Sequence, residues 1–550
     1  MHTIIEVGGS ESFIYATVDG EGQPKSTVVL CAPWGYEHNC SYQSLRVLAA
    51  TLAAQGHRVV RFDPLNSGNS AGDEAESGGL PTWRLSLRTV FDWARATGAN
   101  GLVAVGIRLG NCALVSELDA LDSAVLWDPP KSGSQISRGL RAKAVMWGHS
   151  QAPGAAEGSV VAGHMFPKVA LETFAGFDLV PALDSSAVST LVLTDDAKLV
   201  EQLQGLGGGS GRRGLLVESP SGTQAMLDVI AEESRVPEEI LGRICSFVGL
   251  AHHPTFSMTE KALTTNVAVC GAHAPAYVER HQVAVEVPLH LVVTSPLIRR
   301  KFGTVLFVNN GVARSIGPGR AWVEISRRLA AHGIQSCRLD VSGLGESATR
   351  VGQSPNVHYP IEGIDDIRIA CRAISGATVE PVIVVGVCSG AFLALDAAAY
   401  DESVVGAVSV NPAIYFVPDK KPQRRPRRAN RPTNRVVRRV LYSRVGFKFE
   451  PMIPSIFWRC LDAVRLHPLP FRGVCRAGEA ADISLILWDQ DESVRQLDHH
   501  SPTWRKQIAA TQSVRTDLVA GVDHSMFDAR LRNVAEARIF ELAQTVFEDC

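Results

Sequence analysis

The stretch Gly386-Val387-Cys388-Ser389-Gly390 constrains the fold of this chain more than any other. Before it, Pro381-Val382-Ile383-Val384-Val385 is a continuous apolar, β-branched run, the pattern of a parallel strand buried on both faces. After it, Ala391 to Ala399 is a run of strong helix formers. A strand that turns this sharply into a helix brings the two backbones together, so the positions two residues either side of the centre must be small. The central side chain then projects above the sheet. The next N–H lies at a helix N-terminus, where a negative oxygen is stabilised. Here the centre is a thiol.

Other segments fit this elbow in a fixed order. Ile483-Ser484-Leu485-Ile486-Leu487-Trp488 reads as a late strand followed by Asp489-Gln490-Asp491-Glu492. Gly521-Val522-Asp523-His524-Ser525-Met526-Phe527 precedes a helix expected from about Leu531 to Phe547. Upstream, Gly303 to Val308 reads as a strand running into Asn309-Asn310-Gly311-Val312. With these motifs the chain resembles the α/β-hydrolase superfamily, whose order is nucleophile, acid, histidine. The resemblance implies Cys388 as nucleophile, His524 as its base, and Asp491 as the acid, with Asp489 as its rival. It also implies that the Val312 and Ser389 N–H groups form the oxyanion hole and that Asn310 borders the substrate. The usual His-Gly pair of the oxyanion loop is Asn-Gly here. Cysteine elbows also occur in dienelactone hydrolases and polyhydroxyalkanoate synthases, but neither is matched beyond the elbow.

The first half repeats these motifs without their reactive groups. Val312 stands 276 residues after Tyr36, Asp340 277 after Asp63, and Cys388 280 after Arg108. A nearly constant spacing over three motifs predicts an internal duplication, and hence two tandem domains, each a mostly parallel sheet flanked by helices. The elbow of the first copy is Gly106-Ile107-Arg108-Leu109-Gly110. Arginine keeps its proton at neutral pH and cannot accept an acyl group. Gln224 takes the histidine position, leaving Asp195 or Asp196 with nothing to orient. Two readings of this half stay open: a non-catalytic partner that buries a face of the active half, or a module whose Arg108 binds a carboxylate or phosphate.

A chain of 550 residues exceeds one core, which agrees with two domains. The expected boundaries are 1–250 for the degenerate copy, 251–274 for a connector, and 275–550 for the catalytic copy. A net charge of −2 gives no footing for a polyanion such as nucleic acid. The start of the chain turns polar at once and lacks a signal pattern, and no apolar run is long enough to span a bilayer. Eleven cysteines without paired spacing point to reduced thiols and a cytoplasmic location. No His or Cys cluster has the spacing of a metal site, and no cofactor is expected.

One insertion stands apart by charge. Between Lys420 and Lys448 there are twelve Lys or Arg and no acid, inside the region of about 415–475 where the superfamily inserts a lid. Such a block is either a solvated loop or an attractor for an anionic carrier of substrate, such as coenzyme A or an acyl carrier protein.

The implied chemistry is hydrolysis or transfer of an acyl group from an ester or thioester. His524 takes the Cys388 proton, the thiolate attacks the carbonyl, and water or another acceptor resolves the acyl-cysteine with His524 again as base. Two alternatives remain: Ser389 as the nucleophile, and a scaffold without catalysis.

Overall fold

The computed structural model describes all residues except 9–11, 21, 100, 148–156, 208–213, 251–266, 271–276, 285, 359–361, 376–378, 413–470, 522 and 550. The first sheet is built from β1 (His2–Glu6), β2 (Phe13–Asp19), β3 (Thr27–Cys31), β4 (Arg58–Phe62), β5 (Leu102–Ile107) and β6 (Ser123–Trp127). A separate hairpin follows, β7 (Gly158–Val161) with β8 (His164–Pro167), and β9 (Ser189–Leu193) and β10 (Leu215–Glu218) complete the sheet. Its order is β1-β2-β4-β3-β5-β6-β9-β10, antiparallel through β1, β2 and β4 and parallel from β4 onward.

The second sheet comprises β11 (Val267–Cys270), β12 (Tyr277–Ala284), β13 (Leu289–Pro296), then, past the short β14 (Lys301–Phe302), β15 (Thr304–Phe307) and β16 (Gln335–Leu339). It continues with β17 (Val382–Val387), β18 (Val404–Val410), β19 (Asp482–Trp488) and β20 (Val514–Val519). The order is β11-β12-β13-β16-β15-β17-β18-β19-β20, so from β12 onward it repeats the first sheet strand for strand. β14 pairs with β21 (Glu548–Asp549) outside it. The central strands β5 and β17 are buried along their whole length, because helices cover both faces; that is why both read as unbroken apolar runs.

The connector expected over 251–274 contains one short strand. Val267–Cys270 pairs antiparallel with β12 as an added edge strand, while the rest of that range lies outside the described residues. Of the region 415–475 expected as a lid, residues 415–470, with all twelve basic residues, also lie outside them, and only 471–475 are described, in the helix Phe471–Gly478. Among the described residues, no helix is long and apolar enough to cross a membrane.

The two halves meet through buried polar contacts. Arg314 of the second half pairs with Asp63 of the first at 3.0 Å, both side chains being 3% exposed. Arg61 reaches Glu346 at 2.6 Å, and Arg338 reaches Asn69 at 2.6 Å. Arg338 and Glu346 each stand 277 residues after Arg61 and Asn69, so the same contact is made twice with the halves exchanged. Four rings stack where β1, β2, β12 and β13 meet: His2 on His290 and Tyr15 on His281, each with centroids 4.3 Å apart. A hydrogen bond within each half, His2–Tyr15 at 2.9 Å and His281–His290 at 3.2 Å, completes the pattern.

Candidate active site

The turn after β17 has the strained geometry its sequence requires. Cys388 sits at φ 55°, ψ −114°, a left-handed conformation that is costly for any residue with a Cβ. Its N–H donates to the Val410 carbonyl at 3.0 Å, which ties the turn to β18. The flanking glycines are steric necessities. A Cβ on Gly386 would overlap the Gly390 carbonyl, and one on Gly390 would overlap the Asn309 carbonyl oxygen. The helix Ser389–Tyr400 begins at once, and its first amides have no acceptor within the helix.

Asp491 and His524 reach this turn from neighbouring strand ends. Asp491 follows β19 and caps the helix Glu492–His500; one carboxylate oxygen accepts from Ser493 N–H at 2.8 Å and from Ser493 O–H at 2.6 Å. Its other oxygen lies 2.9 Å from His524 Nδ1. Asp489 points elsewhere and accepts the Gly521 N–H at 2.9 Å. The His524 loop is held from below by Asn411, whose side-chain amide donates to the Asp523 and His524 carbonyls at 3.0 and 3.2 Å.

Burial opposes charge on His524, but the hydrogen bond to Asp491 and one to the Cys388 thiol outweigh it. Its pKa is raised from 6.5 to about 10. Asp491 shows the reverse: burial pushes its pKa up, the His524 ring and the Ser493 donors pull it down, and the net shift is downward. Both shifts favour a charged ring beside a charged carboxylate.

On the oxyanion side, Asn309 fixes the loop after β15 by donating to the Ala313 carbonyl at 2.8 Å and to Asp340 Oδ1 at 2.9 Å. Gly311 N–H donates to Ser389 Oγ at 2.9 Å, joining this loop to the elbow and occupying the hydroxyl weighed as a rival nucleophile. Val312 follows directly and is buried, as is Ser389. Asn310 is 8% exposed, and its Oδ1 is buried without a hydrogen-bond partner among the described residues.

A second imidazole stands at the thiol. His358 Nε2 lies 3.6 Å from Cys388 Sγ, a residue that no motif in the sequence singles out. Its loop, between β16 and the helix Gly363–Ser375, has no apolar periodicity, so only the folded path of the chain reveals its destination. Asn411 escaped notice for the same reason, since a polar residue ending a buried strand carries no pattern.

The first half keeps the elbow but fills it with its own charges. Arg108 adopts φ 45°, and it donates to Asp128 at 2.9 Å, to Glu37 at 2.8 Å, and to both oxygens of Asp228 at 2.8 and 3.0 Å. Burial opposes the guanidinium's charge, yet these carboxylates outweigh it and raise its pKa. The fork expected to clamp an external carboxylate or phosphate is matched here by carboxylates of this chain. Gln224, at the histidine position, donates to Asp195 at 3.2 Å.

This half nevertheless touches the thiol site. The rings of Tyr36 and Trp147 meet Phe527, three residues beyond His524, with centroids 5.7 and 5.8 Å apart. The Tyr36 hydroxyl accepts the Ala231 N–H at 3.0 Å, and the next residue, Glu232, sends its carboxylate against Gly311. Between the halves lies a cavity of about 400 Å³, bordered by Ala231, Val312, Tyr42, Arg46, Glu346 and Asn356.

Residues 305–537 match the model of a family described as the alpha/beta hydrolase family. Solved structures similar to this chain include an esterase from Exiguobacterium antarcticum, at 15% identity and a TM-score of 0.33, with 45% of this chain and 99% of that one covered. A Pyrococcus furiosus esterase covers 50% of this chain and 91% of its own at 14% identity and a TM-score of 0.31. A bromoperoxidase from Bacillus anthracis covers 40% and 91% at 15% identity and a TM-score of 0.29. At such scores they lend nothing to the chemistry of this chain. No curated protein matches it.

Proposed function

We propose that this chain, whose residues 305–537 match the alpha/beta hydrolase family model, cleaves or transfers acyl groups from esters or thioesters through an acyl-cysteine on Cys388. The observation that carries this reading is the position of the thiol: it sits on a strained elbow at a helix N-terminus, beside His524, whose Nδ1 lies 2.9 Å from Asp491. His524 takes the thiol proton, and Asp491 holds the ring in orientation and stabilises its charge. The thiolate attacks the acyl carbon, and the Val312 and Ser389 N–H groups receive the oxyanion. Collapse expels the leaving group, and water or another acceptor attacks the resulting thioester.

The first half acts as a non-catalytic partner, since an arginine at its elbow and a glutamine at its histidine position supply neither nucleophile nor base. We also propose that it arose by duplication of the second half, a reading supported by the shared strand order and the constant spacing of motifs. The charge of the basic segment Lys420–Lys448 favours a substrate carried on an anionic group such as coenzyme A or an acyl carrier protein.

Cys388→Ala tests the assignment. Turnover of a short acyl-thioester is expected to fall by at least about 1,000-fold with folding retained. Turnover at the wild-type rate would place the chemistry elsewhere.

A further inference from the structure

The Cys388 sulfur is flanked by two imidazoles, and each is accompanied by a carboxylate. On one side stand His524 and Asp491. On the other, His358 Nε2 is 3.6 Å from the sulfur, and the Glu232 carboxylate comes from the first half of the chain. The bare Cα of Gly311 leaves room for this second pair. A Cβ there would overlap Glu232 Oε1 and would stand 3.6 Å from His358 Nε2, so the carboxylate and the ring share the space over Gly311. Gly311 itself is bonded to Ser389 beside the thiol, which puts the pair at the mouth of the expected oxyanion hole.

We propose that His358 is a second acid–base group of the Cys388 site, giving a proton to the leaving group and taking one from the acceptor, with Glu232 of the first half as its positioning carboxylate. The proposal rests on the reading of Cys388 as the nucleophile. Its physical basis is a division of labour. A ring that stays charged to hold the thiolate cannot also accept a proton from the incoming acceptor. His524 is bonded to Asp491 at 2.9 Å and faces the sulfur, so it suits the first task. His358 touches the same sulfur, with the Glu232 carboxylate of the first half near it, and suits the second.

The steps balance as follows. The Cys388 proton passes to His524, and the sulfur forms a bond to the acyl carbon while the carbonyl π pair moves to oxygen. The oxyanion collapses, the bond from carbon to the leaving oxygen or sulfur breaks, and that atom takes the proton of His358. The acceptor then gives its proton to the now neutral His358 and attacks the thioester carbon. Collapse of this second oxyanion breaks the carbon–sulfur bond and restores the thiolate, and His358 is again protonated. In sum, the acyl group moves from leaving group to acceptor, and one proton moves the opposite way.

Among the described residues, the charged and titratable groups that act on His358 include the Cys388 thiol, Glu232 and His524. Burial disfavours its charge, while the bond to Cys388 and the Glu232 charge favour it, and the net shift is upward. That direction suits a group that begins the cycle protonated.

Stopped-flow assays with p-nitrophenyl acetate test this in the full chain, comparing wild type with His358→Gln, His358→Ala and Glu232→Gln. Nitrophenolate leaves without a proton, so His358→Gln should keep its burst near the wild-type rate. Steady-state turnover should fall by about 100-fold, with acetyl-enzyme accumulating on Cys388. Imidazole added to the buffer should restore much of the loss in His358→Ala. Glu232→Gln should shift the pH profile of deacylation toward lower pH, since the carboxylate favours the charged ring. Turnover unchanged in His358→Gln, or burst and turnover reduced equally with no rescue by imidazole, would overturn the proposal. Wild type that forms no acetyl-Cys388 at all would instead bring down the reading of the nucleophile on which it rests.

Discussion

Asp491 and His524 set the protonation of the site, and the consequence for pH follows from the signs of their shifts. His524 is raised from 6.5 to about 10, so its contribution to stability is complete below about pH 6.5 and fades as pH rises toward 10. Asp491 is lowered from 3.8, so its contribution is complete above about pH 4 and fades as pH falls through its lower folded value. Between those limits the pair contributes fully. Asp491→Asn should flatten the alkaline slope in a plot of melting temperature against pH. It should also lower kcat by about 100-fold or more, since the ring loses both its orientation and the partner of its charge. The place of Asp491 is marked in the sequence by the apolar strand before it, whereas β20 before His524, Val514-Arg515-Thr516-Asp517-Leu518-Val519, has no apolar run, and His524 stands out only through the resemblance of its loop. The choice between Asp489 and Asp491 was not legible, because two residues at a strand end differ only in direction. Here Asp489 bonds Gly521 and Asp491 bonds His524. His358 was hidden for another reason: its loop has no period, and its meaning comes only from the thiol it faces.

At the scale of elements, the elbows explain why glycine was readable from spacing alone. Gly386 and Gly390 stand where strand, helix and oxyanion loop pass within contact of each other, and Gly106 and Gly110 do the same in the first half. The first elbow keeps its strain at Arg108 although that residue cannot act as a nucleophile, so the turn is also an architectural device for joining strand to helix. Gly386→Ala should cost about 3 kcal/mol by forcing the Gly390 carbonyl aside, measured as a shift in the urea midpoint. Central strands showed themselves as apolar runs because both faces are covered. β11 did not, since four residues, Val267-Ala268-Val269-Cys270, are too few to separate an edge strand from a connector by period.

For the whole molecule, the interface between the halves is an exchange of matching contacts, with Arg61 to Glu346 mirrored by Arg338 to Asn69. The Arg314–Asp63 pair lies at its buried centre, and Asp63→Ala would leave a buried guanidinium without its counter-charge. That should cost about 3–5 kcal/mol, read by calorimetry, and should loosen the first half from the site it covers. The stacked rings add a pH dependence of opposite sense to that of His524. Burial lowers the pKa of His2 from 6.5 to about 3, so the unfolded chain binds the extra proton first and stability should fall as pH drops from 6.5 toward 3. None of this was visible in the sequence, because the spacing of repeats says that two halves exist and not which faces they bury. The most direct test of the central claim weighs the whole protein after brief exposure to a small acyl-thioester. Wild type should gain the mass of one acyl group, located by peptide mapping to Cys388 and lost on addition of hydroxylamine, while Cys388→Ala gains none. An acyl group of equal yield on the Cys388→Ala chain, or one mapped to Ser389 in wild type, would contradict the account.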